Sequence, residues 1–224
     1  EVDMMADESS DWVDSSKNRD DISSWGEIDK LDRVLPRLHA NARSLVKWVV
    51  RHGGIFDAAI DEAKSGWILR LLGEAGSVER GAVLLQVPKT LCIHSDPSRM
   101  ARDDLLKNAK ALMDSLSPQH WRARLAIALL SERVRSKSNY RSYLRNLPFE
   151  FWGMPVFFST SEFALMQDFP LMQKTRDRCK FMSEFADSVL LPLQGGPRDP
   201  FSGNSADVNA FGWGFASASS RALR

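Results

Sequence analysis

Cys92 and His94 stand two apart in Thr90-Leu-Cys-Ile-His94, a spacing that puts two metal-ligating side chains on one face of a strand. A zinc site takes about four ligands. His39, His52, His120 and Cys179 carry no supporting spacing, so no metal site is expected. Arg221, after Ser220 in a helical run, has two readings. Its guanidinium suits a bidentate grip on a carboxylate. It equally suits a solvent-facing cation near a helix C-terminus, where the dipole favours positive charge. Tyr140 and Tyr143, the only tyrosines, are interleaved with Arg122, Arg124, Arg133, Arg135, Lys137, Arg141 and Arg145. That stretch reads as a solvated helix face in preference to a nucleic-acid surface. The sequence has no G-x-S-x-G elbow and no Walker loop. Gly212-Trp-Gly214 lacks the third glycine and the preceding strand of a dinucleotide fingerprint. Trp121, Trp152 and Phe157 read as core aromatics.

The elements that must position these residues belong to a chain of 224 residues, enough for one sizeable domain. It is 43% hydrophobic with net charge +1, so the molecule as a whole has no pronounced pull toward nucleic acid or anionic membrane. The average hides a split. Residues 1–32 hold eleven acids against three bases, a net −8, which leaves +9 for the rest. Residues 1–34 therefore read as an acidic, flexible arm with Trp12 and Trp25 as isolated apolar anchors. Two cysteines make no disulfide framework, and a reducing compartment is the simplest reading. No apolar run approaches the ~20 residues that span a bilayer. The chain opens on Glu1 without a charged-then-apolar signal segment. Removal of a targeting peptide, or a start partway along a longer chain, would each account for that opening.

From Leu35 the apolar period becomes helical, with Leu38, Ala42, Leu45, Val46 and Val49 on one face and Gly53-Gly54 as the stop. From Gly66 to Ile93 it becomes strand-like: Trp67 to Leu72, a turn between Gly73 and Gly76, Ala82 to Val87, and a possible third strand at Thr90 to His94. Helices follow at Ser98 to Leu116, behind Ser117-Pro118, at Tyr140 to Leu144, Ser161 to Leu165 and Leu171 to Leu191. Pro155 to Phe158 reads as extended, and Gln194 to Asn204 as a loop. The last run places Phe211, Phe215 and Ala218 on one apolar face. Short strands followed by a helical block predict an α+β fold, mainly helical.

Several segments occur together in a recognisable order. Leu125-Ala-Ile-Ala-Leu-Leu-Ser-Glu132 precedes Ser138-Asn-Tyr-Arg-Ser-Tyr-Leu-Arg-Asn-Leu-Pro148, and Met154-Pro-Val-Phe-Phe-Ser159 comes next. Glu79-Arg-Gly-Ala-Val-Leu-Leu-Gln-Val-Pro-Lys-Thr-Leu91 lies upstream, and Phe211-Gly-Trp-Gly-Phe-Ala-Ser-Ala-Ser-Ser-Arg-Ala222 downstream. Over about residues 38–224 this order resembles the SET-domain protein methyltransferases of the Rubisco large-subunit methyltransferase type. The resemblance implies a partial SET-like β core with a large helical insertion. The division would be an arm over 1–34, the first part of the core over 35–95, the insertion over 96–207, and a returning core helix over 208–224.

In that family the methyl donor is S-adenosylmethionine. A G-x-G turn approaches it through the main chain, and an arginine of the S-R-A-F stretch reaches its carboxylate. The resemblance thus implies Gly66 and Arg221 as cofactor-binding residues, with Ile68 where the second glycine is usual. An Asn-His pair and a later catalytic tyrosine are not found in the sequence, so no catalytic residue is assigned. The expected function is an inactive, SET-derived scaffold or interaction subunit in a larger assembly, with donor binding weak or lost. The alternative is a fragment of an active S-adenosylmethionine-dependent protein-lysine N-methyltransferase. Other protein subunits are the expected partners, docking on the arm and on Phe211, Trp213 and Phe215, which half a core would leave exposed. A plastid location is suspected from the family, with the cytoplasm as alternative.

Overall fold

A computed structural model describes residues 40–63, 66–71, 78–99, 106–151 and 153–222. The acidic arm with Trp12 and Trp25, the helix start at Leu35, the Gly73–Gly76 turn and Trp152 lie outside the described residues. Helix α1 spans Ala40–Arg51 and buries Ala42, Val46, Val49 and Val50. Two hydrogen bonds close its end: Gly53 N–H donates to Val50 O at 2.9 Å, and Gly54 N–H to Val49 O at 3.0 Å. This pairing needs a left-handed residue, and Gly53 supplies it at φ 79°. Gly54 is required for a different reason. A Cβ there would lie 2.4 Å from Val49 Cγ1 and 2.7 Å from Gln86 O.

Two antiparallel pairs of strands follow. β1 (Ile55–Phe56) pairs with β4 (Leu85–Gln86), and β2 (Ala58–Ala63) with β3 (Gly66–Leu71). Of the expected strand from Ala82 to Val87 only Leu85 and Gln86 pair. The proposed third strand at Thr90 to His94 is instead a 3₁₀ turn over Lys89–Leu91 running into irregular chain. Pro155–Phe157, expected to be extended, is also a 3₁₀ turn, with proline at its first position where a missing N–H costs nothing.

The remainder is helical: α2 (Lys107–Ser115), α3 (Trp121–Val134), α4 (Arg141–Leu144), α5 (Thr160–Ala164), α6 (Phe169–Phe185) and α7 (Val208–Arg221). α6 continues through one wide π turn over Ala186–Leu190 into Leu191–Leu193. The fold among the described residues is thus mainly helical. Its core lies between α3 and α7, with α2 and α6 against them. Phe181, Phe185, Phe211 and Phe215 form a continuous aromatic row with centroid spacings of 5.7, 5.1 and 6.4 Å. Phe211, Trp213 and Phe215 are therefore buried, contrary to the expectation of an uncovered helix face. Ala126, Ile127, Met182 and Phe185 supply the cover within the chain itself.

Two polar arrangements lock the helices. Asp207 caps α7 by accepting from Ala210 N–H at 2.8 Å. Ahead of it, the Asp199 carboxylate gathers the N–H groups of Gly195, Phe201 and Gly203 at 2.8, 2.7 and 2.6 Å. Partial burial would raise its pKa, but these three donors win and hold it below the usual carboxylate value. Glu132, buried on α3, accepts from Arg135 at 3.3 Å and from Ser138 Oγ at 2.6 Å. Ser138 Oγ in turn accepts from Tyr140 N–H at 3.1 Å, so the buried carboxylate fixes the entry to α4. Trp213 reaches the far side of that segment, donating from Nε1 to Pro148 O at 2.9 Å.

Candidate functional site

A cavity of about 790 Å³ opens between α1, the chain from Leu85 to Ser95, α3, α4 and α7. Such a volume suits a small organic ligand or cofactor. Its walls are chiefly apolar: Leu45 and Val49 from α1, Leu91 and Ile93 from the middle segment, Leu125 and Leu129 from α3. Each is placed by helical spacing or by the turn at Lys89–Leu91, so the wall follows from the same periodicity that builds the core.

A few polar groups converge on it. Ser217 and Arg221, four residues apart on α7, both line the cavity. Ser217 is 1% exposed, and its Oγ has no hydrogen-bond partner among the described residues. A buried hydroxyl left this way is costly unless something else pairs with it. The Arg221 guanidinium lies 5.3 Å from the Phe151 ring and donates to Ser220 Oγ at 2.5 Å. Facing them from α4 is Tyr143. Burial pushes its phenol above the ordinary tyrosine value, while the nearby Arg221 charge pulls the other way. The phenol thus remains protonated at neutral pH and can donate. Cys92 and His94 also reach the cavity, and Trp48 closes the α1 side. The arrangement can hold a ligand with a flat apolar body and an anionic end, with two hydroxyls available along its length.

Of the residues singled out from the sequence, Arg221 lies in the cavity wall. Gly66 opens β3 with its backbone paired to Ala63, but its surroundings and the Ile68 side chain lie outside the described residues. Ser217 and Tyr143 went unnoticed as site residues. Ser217 was findable, since it sits one helical turn before Arg221. Trp121, expected in the core, is half-buried and lines the cavity, and Phe157 is 42% exposed. The arginines read as a solvated face have structural partners as well. Arg124 donates to Leu116 O, and Arg133 and Arg122 lie over the rings of Trp213 and Trp121 at 4.2 and 4.4 Å. Among the described residues no three His, Cys, Asp or Glu side chains are grouped to hold a metal ion. Likewise none of their helices is long and apolar enough to cross a membrane.

No family model matches the chain, and no curated protein does. Solved structures do. A Rubisco LSMT bound to AdoMet superposes with TM-score 0.64 at 22% identity, over 83% of this chain and 41% of that one. The SET domain of LSMT bound to lysine and AdoHcy gives the same four values. The SET domain of LSMT bound to MeLysine and AdoHcy gives 0.60 at 20% identity, over 80% of this chain and 39% of that one. The chain therefore spans about 40% of the length of these structures. Over most of its own length it has the fold of the matching portion of the Rubisco LSMT SET-domain structures.

Proposed function

We propose that this chain is the donor-holding part of a SET-type, S-adenosylmethionine-dependent protein-lysine methyltransferase. The observation that carries the reading is the cavity in which Arg221, the unpartnered Ser217 hydroxyl and Tyr143 converge, in a fold shared with AdoMet-bound and AdoHcy-bound structures. On this reading Arg221 grips the donor's carboxylate, Ser217 and Tyr143 offer hydroxyls to its polar groups, and the Leu125–Leu129 face of α3 receives its apolar surface. Gly66 gives the main chain close approach. When bound, S-adenosylmethionine supplies an electrophilic methyl group for a lysine amine. The chain's own residues bind, orient and keep water away. Residues 35–95 and 208–224 then act as core and 96–207 as insertion, with residence in the plastid.

A second reading, an inert SET-derived scaffold, draws support from Ile68 at the place of the family's second glycine, and from the exposed apolar side chains of Ile55, Val83, Leu85 and Val87. Thermal unfolding separates the two. At tenfold excess over its Kd a bound donor stabilises by about 1.4 kcal/mol, a rise of roughly 3–5 °C in Tm for a domain of this size. S-Adenosylmethionine is expected to give that rise, and an equimolar mixture of adenosine and methionine a smaller one. No rise at several millimolar favours the scaffold.

A further inference from the structure

The two cysteines lie in opposite settings. Cys179 is half-buried on α6, its Sγ donating to Val156 O at 3.6 Å, and burial pushes its thiol up. A thiol held this way reacts poorly. Cys92 is exposed and lines the large cavity. It follows the 3₁₀ turn Lys89–Leu91, and its N–H donates to Lys89 O at 3.1 Å, so the backbone fixes where the thiol stands. The Sγ itself donates only weakly, to Pro88 O at 3.8 Å.

An exposed cysteine alone would be no site. Here the same cavity wall contains Ser217, 1% exposed, whose Oγ has no hydrogen-bond partner among the described residues. A buried hydroxyl in that state is made good by a polar ligand, so the space beside the thiol is one that a ligand enters. The wall also contains Arg221. The contacts of its guanidinium, Ser220 Oγ and the Phe151 ring, are uncharged and leave its charge available. The Tyr143 phenol, pushed up first by burial, responds to both Arg221 and Cys92, which groups thiol and cation around one ring. A nucleophilic sulfur near an available cation, at an opening of about 790 Å³, suits a small disulfide that carries carboxylates.

We propose that Cys92 is a thiol-modification site of this cavity, which exchanges with a small anionic disulfide of the glutathione class and, once capped, closes the cavity to its ligand. The Cys92 sulfur, as thiolate, attacks one sulfur of the disulfide. A new S–S bond forms at Cys92, the old one breaks, and the departing thiolate takes up the proton that Cys92 gave up. Cys92 is oxidised, half of the disulfide is reduced, and a free thiol reverses the step. The proposal rests on the cavity of the donor reading, but not on the identity of the ligand that the cavity holds.

Rates of mixed-disulfide formation on the full chain, read by peptide mass spectrometry, test it. The probes are glutathione disulfide, which is anionic, and cystamine, which is cationic, each referred to the same chain unfolded in urea. Cys92 should take the cap several-fold faster than Cys179, and folding should favour the anionic probe over the cationic one. Arg221→Ala should lower that preference several-fold, and Arg221→Lys should restore it. Closure is read with anilinonaphthalene sulfonate, a flat apolar anion of the kind the cavity suits. Capping should release the dye, dithiothreitol should bring it back, and Cys92→Ser should hold the dye whatever disulfide is added. Equal capping of the two cysteines would overturn the proposal. So would a probe preference that Arg221→Ala leaves unchanged, or dye binding that is the same before and after capping. Because none of these readings uses S-adenosylmethionine, failure of the donor reading would show separately, as absent donor binding by the uncapped chain.

Discussion

Arg221 and Tyr143 reach one cavity from different helices, and each makes a distinct prediction. Arg221→Ala should weaken binding of a carboxylate-bearing donor by about tenfold, or 1.4 kcal/mol, as expected for one charge-assisted contact at a partly solvated site. Unfolding midpoints should stay unchanged, since the side chain is exposed. Parallel ligand titrations and melts of the variant check both halves. Tyr143 and Tyr140 are the only two tyrosines, and burial pushes both phenols up from 10.0. A raised folded-state pKa means the full contribution to stability is present below the unfolded value. It is lost as pH rises through the folded one. Phenolate absorbance of the folded chain should therefore rise only above pH 10, with stability falling over the same window. Two normal titrations near pH 10 would contradict the burial of these rings. At this scale the sequence was partly legible. Arg221 could be named from its neighbours, whereas the role of Tyr143 depends on α4 turning it toward α7, which no local pattern encodes.

Among the elements, the pairing of α3 with α7 sets the site, and Gly214 is its closest approach. A Cβ at Gly214 would meet Ala126 Cβ at 3.1 Å and Ala126 O at 3.2 Å. Gly214→Val should cost about 1–3 kcal/mol by overpacking and displace Ser217 and Arg221 together, so stability and donor binding should fall in parallel. Chemical denaturation with a ligand titration would show it, and a variant that lost neither would contradict this packing. Glu132→Ala should cost about 1.5–3 kcal/mol, because Arg135 and Ser138 lose a buried charged acceptor. Urea midpoints measure that loss. The helices were readable in advance because the apolar period marks their faces, although α6 starts at Phe169 behind its cap Asp168, two residues before the expected Leu171. The strands were less so. β2 contains Asp61 and Glu62, which break the alternation, and only its pairing with β3 makes it a strand. Ala82–Val87 had the right residues, yet β1 is two residues long and can pair with no more than Leu85 and Gln86. The burial of Phe211, Trp213 and Phe215 was invisible for a related reason, since their cover comes from Ala126 and Ile127 of α3 and Met182 and Phe185 of α6, far earlier in the chain.

The whole molecule joins a helical core, a large apolar cavity with a cation at one end, and a charge split between residues 1–32 and the rest. Its fold is that of part of a SET-domain structure, and the central claim is that this part already holds a methyl donor. Isothermal titration of the 224-residue chain with S-adenosylmethionine tests that claim most directly. The account predicts one site with a Kd in the tens of micromolar, about 6 kcal/mol, weakened about tenfold by Arg221→Ala. Saturation at one equivalent that is indifferent to Arg221→Ala, or no heat at millimolar S-adenosylmethionine, would contradict it.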